Sequence, residues 1–262
     1  MLHSLLESPD LQKFMLIFAR LTGLLTFAPP FFNRRLALQL KGGLAFFLAL
    51  AMYPSVKQAG MVVPATFPDL AFALGFEMLI GYIIGFGVQI LFSAFEMTGE
   101  LIDRQIGFSM ASLVDPQTDI TVSIMSSLLQ NLALFVFISL DGHLWLLRTF
   151  AGSFFSLPLL EVNFNVPGLL HHMGGLFFQS MVFAAEFSLP IVTIMLLVQI
   201  ALGFMQRTIP QLQIFVVGFI FTIVIGLISM RVLLLHFSAS SEVLIERFTQ
   251  EIWFIISHLR NG

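Results

Sequence analysis

The densest run of side chains able to do chemistry lies between Glu96 and Pro116, where Glu96, Glu100, Asp103, Arg104 and Gln105 precede Ser109 and Asp115. On a helix, Glu96, Glu100 and Asp103 share one face, and Arg104 stands beside Glu100. Such a face can pair with cations, bind protons or line a wet path. It does not suit lipid, where a central charge costs about 2.5–3.5 kcal/mol on insertion scales. The residues alone leave two readings open: a polar lining of a pore or subunit contact, or a solvated helix end. Glu77 and Glu186 raise the same question, because they too interrupt or adjoin apolar runs.

Catalytic patterns are weaker. Gly107-Phe-Ser109-Met-Ala111 loosely mimics a nucleophile elbow, with Asp115 and His143 following in Ser-Asp-His order. An elbow needs a strand before it and an α/β sheet around it, and the flanking sequence here is helical in pattern. Six histidines are scattered without an H-E-x-x-H or an i, i+4 ligand pair. His171-His172 falls in a glycine-rich stretch that reads as a loop. The chain has no cysteine, which excludes disulfides and thiol chemistry. No G-x-x-x-x-G-K-[ST] phosphate loop occurs. The expectation is a protein that is not an enzyme and needs neither metal nor cofactor. A net charge of −3 without a basic run makes nucleic acid an unlike partner.

The elements that position these residues follow from composition. The chain is 58% hydrophobic and 10% charged, against about 45–50% and about 25% in soluble domains. That places it in the membrane class. Three charge-free runs, of 21 residues from Ile120 to Leu140, 20 from Phe187 to Gln206 and 23 from Thr208 to Met230, match the roughly 20 residues that cross a bilayer. Weaker runs at Phe14–Phe32, Gly42–Tyr53 and Leu70–Phe95 bring the expectation to six spans. Several carry defects: Lys13 and Arg20 in the first, Lys41 at the second, Glu77 and Gln89 in the third, Glu186 and Pro190 at the fifth, Pro210 near the sixth. Glu7, Asp10 and Lys13 break up the start, so no cleavable signal peptide is expected.

Two features point to an unusual membrane setting. In a six-span model Arg34, Arg35, Lys41, Arg104 and Arg207 fall on one side, and Lys57, Arg148, Arg231, Arg247 and Arg260 on the other. Such a tie gives the charge bias that normally orients a membrane protein nothing to act on. Only 2 Trp and 2 Tyr accompany 31 Phe, too few for aromatic belts at the headgroups. Both features favour apolar surface that meets protein.

Pro29-Pro30, Asp115-Pro116, Asp141-Gly142-His143 and Arg207-Thr-Ile-Pro210-Gln211 read as turns, and Pro158 and Pro167 bracket a loop before Gly174-Gly175. Gly81 and Gly85 form a small-xxx-small pair that reads first as helix packing. Past Arg231 the pattern turns amphipathic, with Val243, Phe248, Ile252 and Ile255 beside Glu242, Glu246, Arg247 and Glu251, as in a terminal helix at an interface. The apolar island from Phe108 to Ala111, with polar flanks, suits a loop that plugs a narrow passage.

Taken in order, these segments resemble the FliR family, called SctT in injectisomes. The carriers are Arg20 to Pro29 followed by Lys41; Gly99-Glu-Leu-Ile-Asp103-Arg-Gln105-Ile-Gly107 with Asp115-Pro116; Asp141-Gly142-His143 followed by Ser153 and Pro158; and Arg207-x-x-Pro210-Gln211-x-Gln213-x-Phe215. Gln213 departs from the asparagine the family pattern leads one to expect, but keeps the amide. The resemblance covers nearly the whole chain, and 99–116 looks more like flagellar members. It implies an all-α protein of membrane-associated helical hairpins, a FliP-like unit over 1–173 followed by a FliQ-like hairpin over 174–262. It implies a single-copy, non-enzymatic subunit of the flagellar export gate in the bacterial inner membrane and basal body. Its partners would be FliP, FliQ and FlhB, with unfolded export substrates in transit. Ile106, Gly107, Phe108, Ser109, Met110 and Ala111 would form the pore plug. Glu77, Glu96, Glu100, Asp103, Arg104, Gln105 and Glu186 would be polar pore or subunit contacts. The alternatives are an injectisome SctT-type subunit and a conventional six-span transporter of a small solute.

Overall fold

Long runs of Leu, Ile, Phe and Ala satisfy their own backbone polar groups only as helices when little water is at hand. A computed structural model shows that arrangement, describing residues 8–27, 38–56, 64, 66–108, 123–156, 166–208 and 214–258. Its helices are α1 (Pro9–Phe27), α2 (Leu38–Val56), α3 (Phe67–Ile106), α4 (Ile124–Ser139), α5 (Gly142–Ser156), α6 (Val166–Thr208) and α7 (Ile214–His258). Among the described residues there is no strand, so the elbow pattern at Gly107–Ala111 has no sheet to serve.

Helix ends follow local chemistry. The Thr66 hydroxyl accepts the Asp69 N–H at 3.4 Å and donates to the Asp69 carboxylate at 2.5 Å, so Thr66 serves as the N-cap that starts α3. Ser123 caps α4, its hydroxyl accepting the Ser126 N–H. Asp141 has φ +55° and stands between the end of α4 at Ser139 and the start of α5 at Gly142. The Asp-Gly turn thus appears where it was read. Pro167 lies in the first turn of α6, where its missing N–H costs nothing.

Among the described residues three helices, α3, α6 and α7, are long and apolar enough to cross a membrane, or four spans exist if the bent α4–α5 pair makes one. Six were expected. The difference falls first on the first two runs, where Asp10, Lys13 and Arg20 cut into α1, and Lys41, Gly42-Gly43 and Pro54 into α2; the expected run Ile120–Leu140 also falls short by itself, because its helix α4 has only 16 residues. Two further readings change. His171, His172, Gly174 and Gly175 lie inside continuous α6 and not in a loop, because no proline or cap stands between Pro167 and Pro190. Arg207 likewise belongs to the end of that helix. The amphipathic C-terminal stretch is the last part of 45-residue α7 and not a separate helix; there Phe248, Ile252 and Ile255 are buried while Val243 is exposed.

The chain divides into two compact units. The first comprises Met1–Ile90, Asp141–Leu176 and Glu246–Gly262. Leu16, Ile17, Leu21 and Leu24 of α1 lie wholly in its core. Phe14 packs edge-on to Phe46 at 5.4 Å, and the Tyr53 hydroxyl donates to Asp10 at 2.9 Å, fixing α2 on α1. At the α1–α3 crossing the two backbones approach closely. A methyl group added at Gly81 would lie 2.0 Å from the Arg20 carbonyl oxygen, one at Gly23 2.2 Å from that of Met78, and one at Gly85 2.6 Å from that of Leu24. The Gly81/Gly85 pair therefore does the packing its spacing announced.

The second unit comprises Leu91–Leu140 and Phe177–Ile245. Its core is aromatic: Phe92 meets Phe137 at 5.6 Å, and Phe95 meets Phe183 and Phe237 at 5.4 and 5.7 Å. Gly99 lets α3 lie against the start of α4, since a methyl there would stand 2.3 Å from Ser126 Cα. Leu202 covers Gly218, and Phe187 meets Phe237 at 5.8 Å, so α6 and α7 run antiparallel.

Candidate functional site

Two polar clusters sit where the sequence places charges in apolar surroundings. The first is enclosed in the first unit. Arg20, on the buried face of α1, holds Glu77 of α3 through both carboxylate oxygens: Nε donates to Oε2, and Nη2 to Oε1 at 2.9 Å. Nη1 donates to the Ser153 hydroxyl of α5 at 2.8 Å, which itself donates to the Phe150 carbonyl at 2.6 Å. The Phe154 ring lies 3.9 Å beneath the guanidinium carbon. Arg20 is 0% and Glu77 1% exposed. The fork geometry suits a carboxylate, and the aromatic face suits the weakly hydrated guanidinium. The cluster joins α1, α3 and α5. It is closed to solvent and to substrate, so its chemistry is structural.

The second cluster surrounds Asp103 in the second unit. Asp103 is buried near the end of α3, and hydrogen bonds from the Met125 N–H and the Ser123 hydroxyl reach its carboxyl. Its own carbonyl accepts the Gly107 N–H at 3.0 Å. Ser126 donates to the Glu96 carbonyl at 2.8 Å. A carboxylate at the start of α4 also meets the positive end of that helix. One residue thus ties the end of α3 to the beginning of α4. Gly107 takes φ +93°, a value that favours glycine as the residue ending a helix. Ile106 is wholly buried, and a methyl at Gly226 would lie 2.6 Å from its Cγ1. Phe108 is half-buried; Ser109, Met110 and Ala111 lie outside the described residues, as do Asp115 and Pro116.

The other expected site residues are not drawn together. Glu96 and Glu186 are exposed. Glu100 is half-buried and pairs with exposed Arg104 at 3.3 Å, and Gln105 accepts from Gln199 at 3.3 Å. A surface pair of that kind contributes about 0.3–0.5 kcal/mol. Asp141 is exposed, Gly142 buried and His143 half-buried on α5. Pro29, Pro30, Pro210 and Gln211 lie outside the described residues. No group of three or more His, Asp or Glu residues suited to a metal occurs among the described residues.

Reading the sequence found Glu77 but not its partner. Arg20 stood there as a defect in an apolar run. The two are 57 positions apart, and no local spacing connects them. Arg20 and Glu77 both fall within a segment that matches a known family model over residues 11–248, that of the bacterial export proteins, family 1. The chain belongs to that family. It is 33% identical over 242 residues to the flagellar biosynthetic protein FliR of Escherichia coli strain K12, covering 92% of this chain and 91% of that one. It is 30% identical over 225 residues to the FliR of Bacillus subtilis strain 168, covering 84% and 85%. The Yop proteins translocation protein T of Yersinia pestis is 30% identical over 183 residues, covering 68% and 69%. In this export family member, then, the buried Arg20–Glu77 cluster joins α1, α3 and α5, while the Asp103 cluster joins the end of α3 to the start of α4.

Proposed function

We propose that this chain is a non-enzymatic subunit of a flagellar type III protein export gate in the bacterial inner membrane. The observation that carries the reading is the match to FliR proteins, which covers 92% of this chain in the Escherichia coli case. In this reading residues 1–173 act as a FliP-like part and 174–262 as a FliQ-like hairpin. A single copy assembles with FliP and FliQ subunits, and FlhB adjoins the closed gate. Unfolded substrates pass through, driven by an associated ATPase and the proton-motive force. Supporting it are three helices of membrane-crossing length among the described residues, of which α6 and α7 leave most of their apolar stretch exposed while α3 is mostly buried.

Deleting the gene in a flagellated host is expected to abolish filament assembly and flagellin secretion, both restored by the intact gene. Unchanged secretion would refute the reading. The plug is tested by removing Phe108–Ala111, which spares the buried Ile106 and the capping Gly107. Cells with the assembled variant are expected to leak small ions, measured as collapse of the membrane potential. A leak rate equal to that of the intact protein would reject the plug and leave the rest of the reading in place.

A further inference from the structure

Within the second unit the last turn of α3 is held by α4, α6 and α7, and the three holds differ in kind. Toward α4 the hold is buried and charged. Asp103 takes hydrogen bonds from the Met125 N–H and the Ser123 hydroxyl, and a methyl added at Gly99 would stand 2.3 Å from the N and Cα atoms of Ser126. Hydrogen bonds to a carboxylate are stronger than those between neutral groups, and backbone pressed on backbone cannot part by side-chain motion. Toward α7 the hold is an apolar knob. Ile106 is wholly buried, and three of its side-chain carbons lie 2.6, 2.8 and 3.1 Å from where a methyl at Gly226 would be. Toward α6 the hold is a hydrogen bond on an exposed surface, given by the Gln199 amide to the Gln105 side-chain oxygen at 3.3 Å.

Gln199 interrupts the charge-free run from Phe187 to Gln206 and stands among Leu196, Leu197 and Ile200, all exposed. An amide in such apolar company needs a partner, and Gln105 supplies it. The partnership is easily undone, because a hydrogen bond between neutral groups contributes little net. An enclosed charge pair at the same place would be costly to separate. Parted amides also find new partners readily: they carry the same donors and acceptors as the N–H and C=O groups of an extended polypeptide. The Gly226 notch holds by shape alone, so the Ile106 side chain can leave it without breaking a polar contact. The end of α3 is therefore fastened firmly to α4 and reversibly to α6 and α7.

We propose that Gln105–Gln199 and Ile106–Gly226 form a releasable latch, which keeps the end of α3 against α6 and α7 while export is idle and parts there when an unfolded chain passes. The passing chain rests on the export-gate reading. The protein has no cysteine of its own, so Gln105→Cys combined with Gln199→Cys gives one thiol pair to bridge in living cells. A short bis-methanethiosulfonate reagent joins the pair, and a reductant cleaves the bridge. Secretion is expected to fall at least tenfold on bridging and to return to the same cells' starting rate on reduction. Continued secretion with the bridge formed overturns the latch, and so does failure of the pair to bridge in the assembled complex. Equal inhibition of the single-cysteine variants, which cannot form the bridge, overturns it too. Where the double variant does not accumulate, Gln199→Leu decides, since it keeps the bulk and removes the amide. It is expected to raise ion leak at least threefold per copy of assembled protein, read as decay of the membrane potential; a leak equal to that of the intact protein overturns the latch. Loss of the export reading shows itself separately, as normal secretion after gene deletion.

Discussion

Arg20→Leu and Glu77→Leu, made singly, are each expected to remove most of the folded protein from the membrane, and the double variant to recover much of it. The reason is an asymmetry of buried ion pairs. Removing one partner leaves the other charge enclosed without compensation, a loss of about 3–5 kcal/mol. Many proteins have a total stability of only about 5–15 kcal/mol. Removing both leaves an apolar site with a shape defect, and replacing a buried pair by apolar residues is often neutral or better. Here the stranded group would be severe on either side: Arg20 is 0% and Glu77 1% exposed. Ser153 and Phe154 cannot neutralise a lone guanidinium, since one offers a hydroxyl already bonded to Phe150 and the other a ring face. Arg20→Lys is expected to fall between, because an ammonium keeps the charge but loses the two-pronged contact. The measurements are protein level in membranes and melting temperature in detergent. Single variants that accumulate and melt like the parent would show that the pair is not the junction of α1, α3 and α5.

The second large effect concerns glycines. Gly81→Val and Gly99→Val are expected to unfold their neighbourhoods and to lower protein levels about as far as loss of the ion pair. At Gly81 even a methyl group would stand 2.0 Å from the Arg20 carbonyl oxygen, and at Gly99 2.3 Å from the Ser126 Cα and N atoms. Backbone cannot turn aside as a flexible side-chain tip can, so whole helices must separate. Separating α1 from α3 would also pull Arg20 away from Glu77, so the two effects at that crossing are coupled and will not add. The comparison that makes the test specific is Gly42→Ala and Gly203→Ala. Both positions lie in helices with nothing within 4 Å of an added methyl. There alanine is expected to be neutral or to stabilise by about 0.5–1 kcal/mol, because glycine loses more chain freedom in a helix. Equal losses at all four positions would mean that close approach of a neighbouring backbone does not explain the glycines.

Much of this protein was legible in its residues because the relevant forces are local. Apolar runs without strand pattern or sheet-forming alternation make helices. Asp141-Gly142 makes a turn because an Asp-Gly pair tolerates a left-handed backbone, and Asp141 has φ +55°. Glycines four apart make a groove whatever lies in it. The membership of the chain in an export family was legible too, since order and spacing of motifs survive at 33% identity.

Tertiary structure alone decided the rest. Whether a charge in an apolar run is a defect, a pore lining or a core pair depends on what stands opposite, and Arg20 and Glu77 meet only because Gly23, Gly81 and Gly85 let two helices touch. Helix ends were misread at Gly174–Gly175 because propensity counts two glycines as a break, while packing of a 43-residue helix outweighs a cost of about 1 kcal/mol each. Asp103 was read as one of three like residues on a face, yet it is buried while Glu96 is exposed. The difference is the start of α4, whose N–H groups and capping serine lie beside one of those carboxylates and not the other.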